Sequence, residues 1–175
     1  IASLPFGALL YGMYKGKYNY KVLSYELYFE DLPEAFDGFK ITQISDIHSG
    51  SFDDPEKVAY GVDLVNAQNA DLVVFTGDLV NNTALEMEPW LEVFSKISAP
   101  AGKYSILGNH DYGDYIEWSS PEEKEDNFSA LVQTHQKIGF ELLRNEHRVI
   151  EKEGQQIHLI GVENWGRGRF IKKGD

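Results

Sequence analysis

The 175-residue chain contains no cysteine. That absence excludes disulfide scaffolds, thiolate zinc sites and cysteine nucleophiles, and leaves the compartment open. Positive charge is scarce: 16 Lys and Arg stand against 28 Asp and Glu, a formal net charge of −12. Such a chain repels a phosphate backbone, and Arg144, Arg148, Arg167 and Arg169 are mixed with acidic residues rather than gathered in a patch, so no nucleic-acid partner is expected. No G-x-G-x-x-G follows the first predicted strands, which excludes a dinucleotide-binding oxidoreductase. Internal repeats, low-complexity tracts and Pro/Ser-rich linkers are also missing. With 42% hydrophobic and 25% charged residues, the composition is that of an ordinary globular domain.

What is present begins with an uncharged stretch, Ile1 to Tyr14, followed by Lys15, Lys17 and Lys21. Fourteen helical residues reach roughly 21 Å, short of a hydrocarbon core of roughly 30 Å. Two readings are open: an irregular apolar start to a soluble domain, or the tail of a transmembrane helix. Tyr11, Tyr14, Tyr18 and Tyr20 form an aromatic belt beside the lysines and favour the second. Residues 1–19 are therefore taken as helix end and juxtamembrane segment, and 20–175 as the folded portion. The lysines place that portion on the cytoplasmic side of the membrane. No small-x-small site follows the run, which argues against a signal peptide.

Tyr20 to Phe29 alternates and predicts a strand, and Phe39 to Ser45 predicts another. Asp54-Pro55 opens a helix to about Asn69. Leu72 to Phe75 is a short, wholly apolar run, as in a strand buried on both faces. A second helix is expected over Ala84 to Ser98, a strand over Tyr104 to Leu107, and a third helix from the capping sequence Ser120-Pro121-Glu122-Glu123 to about Lys137. Gly139 to Glu151 and Gln156 to Val162 read as strands around Glu153-Gly154. This order predicts a layered α/β domain.

Three of the apolar strands each end in a small polar cluster: Ser45-Asp46-Ile47-His48, Thr76-Gly77-Asp78 and Gly108-Asn109-His110-Asp111. In layered α/β folds, ligands bind beyond the carboxyl ends of strands. If the three strands are neighbours, Asp46, His48, Asp78, Asn109, His110 and Asp111 share one crevice. An extended backbone would point Asp46 and His48 the same way. Three adjacent carboxylates repel one another unless a cation sits among them, and mixed oxygen and imidazole donors suit Mn, Fe or Zn. His135 reads as a partly buried helix residue, and His147 and His158 lie in strands away from these ends. Tyr112 and Tyr115 are secondary candidates for the cleft, and Trp165, Arg167 and Arg169 read as loop residues or pocket walls.

Asp46-x-His48, Gly77-Asp78 and Gly108-Asn109-His110-Asp111, within FKITQISDIH, DLVVFTGDL and KYSILGNHDY, resemble the calcineurin-like metallophosphoesterase superfamily, in particular its bacterial membrane-associated branch. The resemblance implies an α/β/β/α sandwich and an enzyme hydrolysing phosphate mono- or diesters with two divalent ions. Asp46 and His48 would bind one metal, Asp78 would bridge both, Asn109 would bind the second, and His110 would act as general acid or transition-state donor. A metal-bound hydroxide would attack phosphorus. The branch implies a phosphorylated small-molecule or lipid-linked substrate and association with a bacterial inner membrane. Many relatives carry Asp where this chain has Asn81, to orient the catalytic histidine; an amide supports imidazolium less well, and Asp111 is an alternative neighbour. The family's later His and Gly-His-x-His ligands do not occur before Asp175 and are expected downstream. A non-catalytic scaffold with an incomplete metal site is the alternative reading.

Overall fold

β2 (Leu72–Phe75) lies inside a parallel sheet, and its four apolar residues divide between two cores. The computed structural model describes residues 5–7, 11–12, 16–168 and 171–175. β1 (Ile41–Ile44) pairs with β2 from Ile41↔Leu72 to Ile44↔Phe75. β2 pairs with β3 (Lys103–Ser105), and β3 with β4 (Glu141–Leu142), all parallel in the order β1-β2-β3-β4. Parallel neighbours need crossovers. These carry α1 (Pro55–Asn66), a 3₁₀ turn (Ala84–Trp90) running into α2 (Leu91–Ser95), and α3 (Pro121–Lys137). Because the strands are added in sequence, right-handed crossovers bring every helix to the same face. Val58 and Val62 of α1, Phe94 of α2 and Leu131 of α3 pack there against Val73 and Phe75.

The opposite face is covered by an antiparallel hairpin, β5 (Glu146–Lys152) and β6 (Gln155–Gly161). Leu72 joins Phe36 and Ile150 in a second core, with Val74, Tyr104, Ile157 and Leu159 against it. The layers are helices, parallel sheet and hairpin sheet, the mixed α/β architecture expected. Asp54 caps α1 by accepting from the Lys57 N–H at 3.2 Å, and Ser120 caps α3 by accepting from Glu123 at 3.2 Å.

Three expectations are corrected. Tyr20 to Phe29 forms no strand; Leu23, Tyr25, Leu27 and Phe29 are exposed, and no described strand lies alongside to supply ladder bonds. The second helix is largely a 3₁₀ turn with Pro89 inside it, because proline lacks the donor that an α-helix needs. The strand read from Gly139 to Glu151 is two strands in two sheets. The chain turns between them at Asn145, left-handed at φ 58°, whose amide oxygen accepts from the Glu163 N–H at 3.0 Å. The apolar opening falls partly on residues 1–4, 8–10 and 13–15, outside the described residues. No helix of the described residues is long and apolar enough to cross a membrane.

The segment after it docks. The Tyr18 hydroxyl accepts from the Asp53 and Asp54 N–H groups at 2.8 and 3.1 Å and donates to Asp53 Oδ1 at 2.9 Å. Lys17 pairs with Asp53 at 2.6 Å, and the Tyr18 ring stacks on Phe52.

Candidate metal centre

The loops leaving β1, β2 and β3 emerge side by side at the carboxyl edge of the sheet, as the strand order requires. The first runs along the second through backbone bonds of 3.0 Å: Asp46 N–H to Gly77 O, His48 N–H to Asp78 O and Ser49 N–H to Leu79 O. The second and third touch at glycines. A Cβ on Gly77, at φ +98°, would lie 2.3 Å from the Gly108 nitrogen, and one on Gly108 would lie 2.3 Å from Asp78 Oδ1. No other residue fits at either position without moving backbone.

Asp46, His48 and Asp78 all hold left-handed backbone, at φ 52°, 46° and 60°. Side-chain-bearing residues pay a steric penalty of about 1 kcal/mol or more in that region, and such strain gathers at functional sites. The extended backbone expected at Asp46 and His48 is therefore absent, and the strand alternation rule does not govern where they point. His48, Asp78 and His110 do converge: one ligand atom from each lies within 4.8 Å of the other two. His48 Nε2 is 3.9 Å from Asp78 Oδ2, and the two histidine rings meet edge-on at 4.7 Å. The distance is too long for a direct hydrogen bond, while nitrogen and carboxylate donors this close lie within reach of a shared ion. Asp46 is exposed and outside this group, its carboxylate accepting from the Ser45 hydroxyl at 2.5 Å. Asn109 donates through Nδ2 to the Tyr115 hydroxyl at 2.7 Å.

Two carboxylates hold the central loop. Asp111, 1% exposed, accepts from the N–H groups of Asp78 and Leu79 at 2.8 Å, Val80 at 3.4 Å and Gly108 at 2.9 Å. Burial pushes its carboxyl up to about 6, against the lowering effect of those N–H donors, and the Asp78 carboxylate adds to the rise. Glu86 accepts from Asn81 N–H at 2.6 Å and from Asn82 and Thr83 N–H at 3.0 Å. Six consecutive N–H groups, Asp78 to Thr83, are thus all given to carboxylates, and the carbonyls of the loop remain for other partners.

One such partner is His110. Its Nδ1 faces the backbone carbonyl of Asn81 at 2.8 Å, so Nδ1–H donates and Nε2 is left for chemistry. The Asn81 side chain turns elsewhere, donating to Ser51 Oγ at 3.2 Å. Residue 81 orients the histidine through its backbone, and neither its amide nor Asp111 fills that role. Tyr115 is half exposed and its ring lies against His110, tilted by 31° with ring centres 4.5 Å apart.

Other sequence candidates lie apart. Tyr112 is buried, stacks on Phe128 and donates to Glu163 at 3.3 Å, so it does not line the cleft. His135 is fully buried rather than partly so, against Phe75. His147 and His158 face each other across the hairpin with ring centres 5.9 Å apart. Trp165 is exposed and bridges to Lys172, and Arg169 falls outside the described residues. Glu86 was not among the residues singled out, although Thr83-x-x-Glu86 is a capping-box signature.

Residues 39–173 match the family model for the calcineurin-like phosphoesterase. The chain is 40% identical over 86 residues to the uncharacterized metallophosphoesterase YkuE of Bacillus subtilis, covering 48% of this chain and 30% of that protein. It is 29% identical over 160 residues to a transmembrane protein with metallophosphoesterase domain of Danio rerio, covering 89% and 34%. It is 34% identical over 89 residues to the UDP-2,3-diacylglucosamine pyrophosphatase LpxG of Chlamydia muridarum, covering 49% and 27%. The matched regions span about a third of the length of these relatives.

Proposed function

The chain belongs to the calcineurin-like phosphoesterase family, and from that premise we propose that it contributes the active site of a metal-dependent hydrolase of phosphate mono- or diesters. The observation that carries this reading is the convergence of His48, Asp78 and His110 where three adjacent parallel strands end. Asp46, His48, Asp78 and Asn109 are the residues that would hold two divalent ions. When bound, such ions supply Lewis-acid polarisation of the phosphoryl oxygens and activation of water.

The chain's own contribution is to place charge and protons. His110 keeps its Nδ1 proton on the Asn81 carbonyl, so Nε2 is the atom that meets substrate. As imidazolium it donates to a phosphoryl oxygen or protonates the departing alkoxide. The Tyr115 ring packs against the imidazole on one side. A lipid-linked phosphate at a membrane surface is the finer form of the proposal. It is supported by the apolar opening, the name of the Danio rerio relative and the substrate in the name of LpxG.

The test is hydrolysis of p-nitrophenyl phosphate and bis-p-nitrophenyl phosphate after chelation and repletion with Mn²⁺ or Zn²⁺. Activity should return with metal. Asp78→Asn should lower it at least about 100-fold, more than loss of an outer partner does, with an unchanged circular dichroism spectrum. A metal-replete protein that carries the expected downstream histidine ligands and is inert on both would make the domain a binding module.

A further inference from the structure

We infer that Glu86, outside every metal-ligand cluster, is a positioning residue that sets the tautomer of His110. A trans peptide is planar, and its C=O and N–H point in opposite directions. The carbonyl of Asn81 and the N–H of Asn82 belong to one such plane. Glu86 Oε1 accepts from the Asn82 N–H at 3.0 Å on one side, and His110 Nδ1 meets the Asn81 carbonyl at 2.8 Å on the other. Holding the N–H therefore aims the carbonyl. The carboxylate fixes the planes on either side as well, through Asn81 N–H at 2.6 Å and Thr83 N–H at 3.0 Å.

The chemistry of the site requires a carboxylate there. Three N–H donors converge on two oxygens, and an ionised carboxyl accepts at both and donates at neither. Glutamine would turn an NH₂ group towards one of the donors. Gly50 supplies independent support from another loop. A methyl group there would fall 2.4 Å from Glu86 Oε2 and 2.9 Å from Asn81 Nδ2. The turn following His48 thus packs directly on the Glu86 carboxylate and keeps it against the loop. A carbonyl held in this way accepts from Nδ1–H, leaving Nε2 without a proton in the neutral ring and directed to substrate in the charged one.

The tautomer part of this inference stands on geometry, and its kinetic consequence rests on the phosphoesterase reading. Imidazole ¹⁵N spectra of the full chain, recorded at about pH 8 where an ordinary imidazole is neutral, separate the two. The unaltered chain should show His110 as the Nδ1–H tautomer. Glu86→Gln and Gly50→Ala should each give a mixture with Nε2–H, and should lower kcat about 10–100-fold, the usual effect of losing an outer hydrogen-bond partner, with little change in KM. A carboxylate kept at 86 by Glu86→Asp should recover part of the Nδ1–H signal lost in Glu86→Gln, since a purely structural role would respond in stability alone. A His110 spectrum identical in all chains overturns the inference, as does a parent already in the Nε2–H form. If Glu86→Gln does not fold, Gly50→Ala decides alone. If the unaltered protein, with the downstream histidine ligands present, hydrolyses no phosphoester, the phosphoesterase reading fails while the spectra still settle Glu86.

Discussion

Lowering the pH should destabilise the chain through His135, and replacing that residue should remove the effect. The ring is fully buried near the end of α3, stacked on Phe75 at 5.9 Å, and neither ring nitrogen has a hydrogen-bond partner among the described residues. Burial disfavours its charged form and brings the imidazole down to about 4 in the folded chain, against about 6.5 when unfolded. The unfolded chain therefore takes up the proton first. Stability is complete above about pH 6.5 and is lost as the pH falls towards 4, by about 3 kcal/mol in all. About 2 kcal/mol is already gone at pH 5, a large part of the 5–15 kcal/mol typical of a domain. Asp111 works in the opposite sense: its carboxyl is raised on folding, so its contribution falls as the pH rises through about 4 to 6. Comparison with His135→Leu cancels that contribution. Urea unfolding followed by circular dichroism at pH 7.5 and pH 5, with chelator to remove metal linkage, should show the parent losing about 2 kcal/mol more than the variant. At pH 7.5 the variant should be as stable as the parent or about 1 kcal/mol more so, since two buried unpartnered nitrogens are gone. Parallel losses in the two proteins would refute the assignment.

Two further outcomes follow from the contacts between loops. Gly108→Ala should separate the second and third loops, because its Cβ would lie 2.3 Å from Asp78 Oδ1 and 2.5 Å from the Asp78 nitrogen. A stability loss of about 1–3 kcal/mol with weakened Mn²⁺ binding by calorimetry is expected, and unaltered binding would contradict the contact. Tyr115→Phe keeps the ring on His110 and removes only the oxygen that accepts from Asn109 Nδ2. Metal affinity should fall about 10-fold with little change in thermal stability; an equal affinity would free Asn109 from dependence on Tyr115.

The strand ends were legible because an apolar run changes abruptly to Asp, Gly, Asn and His, and LVVF has the short, wholly apolar pattern typical of a strand with both faces covered. Helices between the strands pointed to a layered α/β domain, while the pairing order β1-β2-β3-β4 came from the structure. The backbone of the site was less accessible. Local pattern does not show that Asp46, His48 and Asp78 take positive φ, because that strain is imposed by contacts with other loops. Asn81 illustrates the same limit: its side chain is what a sequence displays, yet its carbonyl meets His110. Thr83-x-x-Glu86 has the spacing of a capping box, but nothing local shows that the same carboxylate also accepts from Asn81 and Asn82. Tyr20 to Phe29 has the alternation of a strand, but alternation describes one chain and a ladder needs two.

The docking of Tyr18 has a mechanical consequence. Its hydroxyl is fastened to Asp53 and Asp54 rather than to the sheet, and Asp53 is five residues beyond His48. A load applied through the start of the chain is delivered to the stretch that follows His48 and, through the Tyr18 and Tyr20 rings, to α1 beside it. Tension on the amino-terminal segment would thus be shared between the stretch that follows His48 and the start of α1.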